Sequence, residues 1–473
     1  MTPLWTGEDV IAATGATGPE DWSASGVSID AETVQHGDLY IHLGDQEDRA
    51  LARAHENGAV AAIVADTGVR VPKGLIRIAV PDAMHALTDL ARAARYRTTA
   101  KIIAVTGSVG KASTIGMIKV MLAKHGPCHV SDTRYGSQID VPLSLVRMPV
   151  DTVYAVIKIG ARHPGDIRPL SQLVQPDVAL VTRIAAEHLA NFGSIAAIAQ
   201  EKATIFDGLG ANGVAIFHAE EEYAGPLRKA AGKRRAISFG PSECDWALRH
   251  LRLGAEVSVV MARGQGQDYL FKLGVPGRHF AVNALGALGV VAEVGIDTVT
   301  ATFDLAEWRP SAGRGTREHI VLDPANDSDT IELLDDALNA NPTSVDTSLE
   351  MIAVAQPFDN VGRIVKGRRV VIFGDMGGLG ADGAAFHGAL AQNRHLQAVD
   401  QVHCAGPLMY HLWRALPQHQ RGKWTQSSAD LVPQVSRLID AGDVVLVKGS
   451  ASSKISLVVD AIRKLGHRRP QEE

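Results

Sequence analysis

The sequence predicts an α/β protein of three domains. Three observations carry that expectation. The chain has 473 residues, more than one ordinary hydrophobic core organises. Short apolar runs alternate with helix-like stretches, the pattern of parallel sheets flanked by helices. A glycine-rich turn, Thr106-Gly107-Ser108-Val109-Gly110-Lys111-Ala112-Ser113-Thr114, joins an apolar strand at 102–105 to a helix-like segment at 114–124.

The elements follow in order. The first domain is placed at 1–99, with strand-like runs at 38–43, 60–65 and 75–80 and an alanine-rich helix at 83–96. The second, 100–309, opens at the glycine turn. It carries expected strands at 153–159, 178–184 and 214–218, a helix at 194–209, antiparallel strands within 257–275 and a helix at 281–293. A hinge near Trp308-Arg309-Pro310-Ser311-Ala312-Gly313 leads into the third domain, 310–473. There, apolar runs at 330–334, 369–373, 401–405 and 444–447 alternate with helical stretches such as 348–354 and 383–392.

Composition narrows the function classes. A hydrophobic content of 46% with 21% charged residues fits a globular chain rather than a disordered one. The formal net charge is −5, from 47 basic and 52 acidic side chains, and no basic block points to nucleic acid. Cys128, Cys244 and Cys404 are too scattered for a metal or disulfide framework, which suits the reducing cytoplasm. No apolar run reaches the ~18–20 residues of a membrane span, and the opening residues, with Glu8 and Asp9, do not read as a signal peptide.

The glycine turn carries chemistry. A strand, a glycine turn and a helix N-terminus together make a phosphate cradle. Backbone N–H groups point at the anion, the helix dipole favours it, and Lys111 adds a cation. Gly107, Ser108, Gly110, Lys111 and Ser113 are therefore the candidate phosphate-binding residues. The pattern is incomplete, because Ala112 stands where a Ser or Thr hydroxyl normally ligates Mg²⁺.

Further motifs extend the reading: Ile159-Gly160-Ala161-Arg162-His163-Pro164-Gly165-Asp166-Ile167, His188-Leu189 with Phe192-Gly193-Ser194, and Val275-Pro276-Gly277-Arg278-His279 followed by Asn283-Ala284. Then come Gly313-Arg314-Gly315, Asp335-Asp336-Ala337-Leu338-Asn339-Ala340-Asn341-Pro342, Phe373-Gly374-Asp375-Met376 with His387, and Val447-Lys448-Gly449-Ser450. In order and spacing this set resembles the Mur ligases over nearly the whole chain, nearest the branch that adds a D-alanyl-D-alanine dipeptide. The resemblance implies a central P-loop-type ATPase domain, a C-terminal Rossmann-like domain and an N-terminal domain of the UDP-substrate type. It implies that ATP phosphorylates a carboxylate and that an amine then displaces phosphate to form an amide. By the same resemblance Lys111 holds the terminal phosphates, Asn283, Arg314 and Asn339 line the ATP site, and His188 ligates a second metal. Lys202 falls where the family carries a carbamylated lysine.

The departures from the family cluster in the chemistry. Besides Ala112, Lys158 replaces a Mg²⁺-binding glutamate, and Arg183 replaces an asparagine. The Ser-Arg pair that helps hold UDP is Ala31-Glu32, and the nearby loop Asp45-Gln46-Glu47-Asp48 is acidic. ATP is the expected nucleotide; the need for Mg²⁺ stays open, with Lys158 and Arg183 as candidate substitutes for its charge. Three readings stay open: an ATP-dependent amide ligase diverged from peptidoglycan precursor synthesis, acting on an unidentified carboxylate and amine; a nucleotide-binding pseudoenzyme that scaffolds or regulates, with cell-wall synthesis proteins as candidate partners; and a structural relic.

Overall fold

The computed structural model describes residues 3–468 apart from 45–47, 66–68, 220, 242, 324 and 363. The architecture is mixed α/β with three main sheets. The first is four-stranded and parallel, ordered Gly26–Ser28, Asp38–Ile41, Ala61–Ala65, Ile76–Val80, and is followed by the helix Ala83–Arg97. A short pair, Trp5–Thr6 with Ser23–Ala24, precedes it. Most of the acidic loop noted above, 45–47, lies outside the described residues.

The second sheet has nine strands. Its parallel part runs in the order Arg235–Gly240, Val214–His218, Val178–Val181, Lys101–Thr106, Tyr154–Lys158, Cys128–Val130. The strand entering the glycine turn is thus central. Strand alternation divides its side chains between two cores. Ile103 and Val105 join the cluster shared with the helix Arg278–Glu293 and Trp308. Ile102 and Ala104 join the cluster shared with the first sheet. Three strands, Trp246–Leu253, Ser258–Gly264 and Gln267–Leu273, extend the far edge antiparallel to one another.

The third sheet has the order Arg421–Thr425, Gln401–Ala405, Arg369–Gly374, Val444–Lys448, Asn326–Asp336, Thr316–Asp323, His467–Arg468. The first five strands are parallel and the last two join antiparallel.

The structure corrects several expected boundaries. The helix expected from 114 starts at Lys111, because Gly110 adopts φ 90° and ends the turn there. The helix expected at 194–209 is α-helical only over Ile195–Ala203 and tightens to a 3₁₀ segment, Thr204–Gly208. The helix expected from 281 starts at Arg278, behind Gly277 at φ 143°. The run at 330–334 is part of the longer strand Asn326–Asp336, which forms a hairpin with Thr316–Asp323.

The first sheet is tied to the second by a few specific contacts. Trp5, 1% exposed, donates from Nε1 to the Val146 carbonyl at 2.9 Å, and the Arg97 guanidinium lies 3.9 Å from its ring centre. Arg147 Nε donates back to the Val27 carbonyl at 2.7 Å. Replacing Trp5 with Ala should therefore cost about 3–5 kcal/mol in urea unfolding. Trp5→Phe should cost less, about 1–2 kcal/mol, mainly for the Val146 carbonyl left unpaired.

Candidate functional site

The site grows out of one register. Val105, one residue before the strand's end, pairs with Lys158 at the end of its neighbour, and Thr106 pairs with Val181. The turn that follows is clamped from behind. Ser108 and Val109 donate their N–H groups to the Arg183 carbonyl at 2.9 and 3.3 Å, and Thr182 Oγ1 donates to the Val109 carbonyl at 2.7 Å. Gly107 has φ 140°, and a Cβ there would collide with Thr182 Oγ1. A Cβ on Gly110 would stand 2.7 Å from Asn283 Oδ1, so glycine is what lets the turn seat against the helix Arg278–Glu293. The helix N-terminus at Lys111 has no side-chain cap, leaving its first N–H groups open to an anion.

In front of the turn lies a cavity of about 780 Å³ between the second and third sheets. Ser108, Gly110, Lys111, Ala112, Ser113, Lys158, Arg183, His188, Asn283, Arg314 and Asn339 all line it. One cleft therefore collects nearly every residue singled out from the sequence. Two stand apart. Gly107 lies behind the turn, and Lys202 is buried at 1% exposure beneath Glu187. Ser108 Oγ is buried and has no hydrogen-bond partner among the described residues.

Glu187 is the residue the sequence reading missed; its position immediately before His188 was the available signal. Its carboxylate accepts from Lys111 Nζ at 3.1 and 3.2 Å and lies 3.7 Å from Lys202 Nζ. Lys111 also donates to the turn's own carbonyls, Gly107 and Ser108. Burial alone would raise the Glu187 carboxyl, but the Lys111 and Lys202 ammoniums outweigh it and hold it below its ordinary value. Burial brings Lys202 down to about 8, with Lys111 adding repulsion. Burial also lowers His188, and takes His279, on the cavity wall, down to about 4.

Lys158 differs from the other two lysines. Its backbone N–H is held by Ser131 Oγ at 2.9 Å, but among the described residues its ammonium has no hydrogen-bond or ion-pair partner. Burial lowers it to about 8, with Lys111 and Arg314 adding repulsion. Glu187 and Asp140 attract it, but Glu187 is already engaged by Lys111 and Lys202, and the Asp140 carboxylate is committed to the backbone N–H groups of Arg134, Tyr135 and Gly136 at 2.9–3.0 Å. Toward the open end, Lys448 pairs with Asp336 at 2.7 Å and donates to the Asn339 carbonyl at 3.0 Å, fixing the loop that carries Asn339.

Magnesium, which the resemblance implies, takes hard oxygen ligands in near-octahedral order. The residues around the turn do not fit it. Position 112 offers a methyl, position 158 an ammonium, and the Glu187 carboxylate is engaged by two lysines. Among the described residues no group of three His, Cys, Asp or Glu side chains could hold a metal ion. A carbamate on Lys202 would set a second anion against Glu187.

A phosphate turn under a cationic cleft between two α/β sheets defines a nucleotide-dependent enzyme class. The chain belongs to the Mur ligase family. Residues 105–291 match the Mur ligase middle domain, and residues 323–451 match the Mur ligase glutamate ligase domain. It is 29% identical over 455 residues to UDP-N-acetylmuramoyl-tripeptide–D-alanyl-D-alanine ligase of Escherichia coli, covering 94% of this chain and 95% of that one. The enzyme of the same name from Bacillus subtilis is 27% identical, covering 92% of each chain. Among solved structures, MurF from Acinetobacter baumannii superposes with a TM-score of 0.81 at 22% identity, covering 97% of this chain and 99% of that one. MurF ligase from Thermotoga maritima, solved with ADP, gives 0.76 at 22% identity, covering 93% and 97%. These structures share the fold, the three-domain Mur ligase architecture. No described helix is long and apolar enough to cross a membrane.

The unpaired Lys158 gives a pH-dependent prediction. Its value in the fold lies below the ordinary 10.5, so the charged form is disfavoured there. The cost is present in full below about pH 8 and fades as pH rises toward the ordinary lysine value. Lys158→Met should therefore stabilise the protein at pH 7 by about 1–2 kcal/mol. Urea unfolding at pH 10 should show most of that gain gone. A wild type at least as stable as the variant at pH 7 would mean the fold already compensates the charge.

Proposed function

We propose that this chain is an ATP-dependent amide ligase of the Mur type, joining a peptide carboxylate to an amine. The observation that carries the reading is the cleft itself. It brings the phosphate turn and Lys111 from one sheet to face Arg314 and Asn339 beside the other, with Asn283 packed against the turn. In the reaction, a carboxylate oxygen attacks the terminal phosphorus of ATP and ADP leaves. The amine nitrogen then attacks the acyl carbon, the amide C–N bond forms, the C–O bond to phosphate breaks, and the nitrogen gives up a proton. Such chemistry rests on positioning and charge neutralisation. Lys111 and the open helix N-terminus meet the terminal phosphates, and Arg314 adds charge on the opposite wall. Asn283 and Asn339 supply polar contacts for the nucleoside end.

Lys111 must exchange Glu187 for phosphate when nucleotide enters. The exchange returns a charged acceptor to Lys111 and leaves Glu187 with Lys202, so neither buried ion is stranded. His188, at φ 54° in the left-handed region, directs its ring to the same cavity wall, where a neutral imidazole can take the amine's proton.

The relatives are named for a UDP-linked muramoyl tripeptide and D-alanyl-D-alanine, which makes that pair the first to try. The first domain is altered at the UDP-side position. Glu32 is exposed and held in a forked ion pair by Arg53, at 3.0 and 3.2 Å, so its negative charge is already matched within the domain. Phosphate release should require ATP, a carboxylate and an amine together, and should give one amide per ADP. Lys111→Ala should lower kcat/KM at least about a hundredfold. A second reading, nucleotide binding without transfer, is favoured by the poor fit to magnesium. Tight nucleotide binding with no ADP formed from any carboxylate–amine pair would establish it instead.

A further inference from the structure

The poor fit to magnesium is local. It sits at the one corner of the cleft where Ala112 and Lys158 face the phosphate turn. We propose that the Lys158 ammonium occupies the charge position of the phosphate-bridging Mg²⁺, so that this chain binds the nucleotide's terminal phosphates without that metal. The inference rests on the proposed nucleotide site and says how that site neutralises its ligand.

Geometry supports it first. Lys158 ends the strand beside the one that feeds the turn, in register with Val105, and its side chain lines the same cavity as Lys111 and Ser113. A residue at this register looks onto the phosphate end of the cleft. The segment 131–140, a loop running into the helix Ser137–Arg147, packs beside it, tied down by Ser131 Oγ on the Lys158 N–H and by Ser137 Oγ on the Gly160 N–H at 2.8 Å.

Charge pairing supports it second. Lys111 is neutralised by Glu187, and Lys202 shares the same carboxylate. Lys448 is neutralised by Asp336. Lys158 is a mostly buried ammonium with no hydrogen-bond or ion-pair partner among the described residues. An ammonium held that way calls for an anion, and a terminal phosphate in the cleft supplies one. An ammonium neutralises phosphate as a point charge but imposes no octahedral geometry. Removing the hydroxyl at 112 then costs nothing, because no metal remains for it to hold.

The test is titration of ADP and of ATP, by calorimetry, into the full chain with excess Mg²⁺ and again with excess EDTA. The wild type should bind in both, with affinities within about threefold of each other. Lys158→Gln should weaken binding in both by at least about tenfold, while Lys158→Arg should retain most of it. The double variant Ala112→Thr with Lys158→Glu should bind at least about tenfold more tightly with Mg²⁺ than with EDTA. Thermal unfolding of each variant confirms that it is folded before its affinity is read. Wild-type binding that falls thirtyfold or more in EDTA overturns the inference while leaving the nucleotide site in place. So does binding that is indifferent to Lys158→Gln. Absence of nucleotide binding in both conditions overturns the ligase reading as well.

Discussion

The phosphate-turn end of the cleft depends on one carboxylate. Glu187 holds Lys111 and Lys202 at once, 3.1 and 3.7 Å away, at the wall of the cleft with Lys202 fully buried behind it. Without it two ammoniums would face each other under a third, Lys158, with Arg314 nearby. Such a cluster would be strained by several kcal/mol of mutual repulsion even at a generous effective dielectric. With Glu187 in place, Lys111 folds back onto the turn carbonyls and the cradle is held shaped for phosphate. In the proposed reading the carboxylate stands in for the anion, releasing Lys111 to a ligand while keeping Lys202.

The same carboxylate explains why the substitutions around it belong together. A lysine at 158 adds a positive charge where the resemblance implies a carboxylate. By itself that change would empty the site of balance. Glu187 attracts the Lys158 ammonium but is already paired with Lys111 and Lys202, so the charge at 158 is only partly offset. The Arg183 backbone carbonyl, meanwhile, does a structural task that any residue could do, since it is the main chain that receives the Ser108 and Val109 N–H groups. So the replacement at 183 leaves the turn's shape untouched and changes only what its side chain brings to the cavity wall.

Much of this was legible in the sequence, for physical reasons. A phosphate turn is a local object: strand, glycines at positions of positive φ, lysine and helix follow one another along the chain. Gly107 and Gly110 betray the turn because no side chain fits against Thr182 and Asn283. Apolar runs buried on both faces, such as Lys101–Thr106 and Val444–Lys448, announce central parallel strands. The short or edge strands were harder. Gly26–Ser28 and Cys128–Val130 have three residues each and carry no periodicity to read. Thr316–Asp323 is a polar run, Thr316 to His319, followed by an apolar one, Ile320 to Leu322, so no alternation marks it as a strand, and its pairing is fixed by a hairpin. Glu187 was illegible for a different reason. Its meaning depends on Lys111, 76 residues away, and on Lys202 on the helix Ile195–Ala203. An acid beside a histidine reads as surface until the fold buries it between two cations.

The energetics of Lys158 give the reading its sharpest edge. A protein that had merely lost a magnesium site would have no reason to retain an unpaired, mostly buried cation there, since a neutral residue of similar size would be more stable. Marginal stability makes a cost of even one or two kcal/mol noticeable. Ala112 carries no such cost and could be simple loss. Lys158 is different: its charge opposes folding and pays off only when an anion sits in the cleft. Stability and affinity should therefore move in opposite directions at this one residue. A substitution that makes the free protein firmer at neutral pH should make the nucleotide complex weaker. That antagonism separates a cation kept for a ligand from one left behind by drift, because a relic lysine would lose nothing on being neutralised.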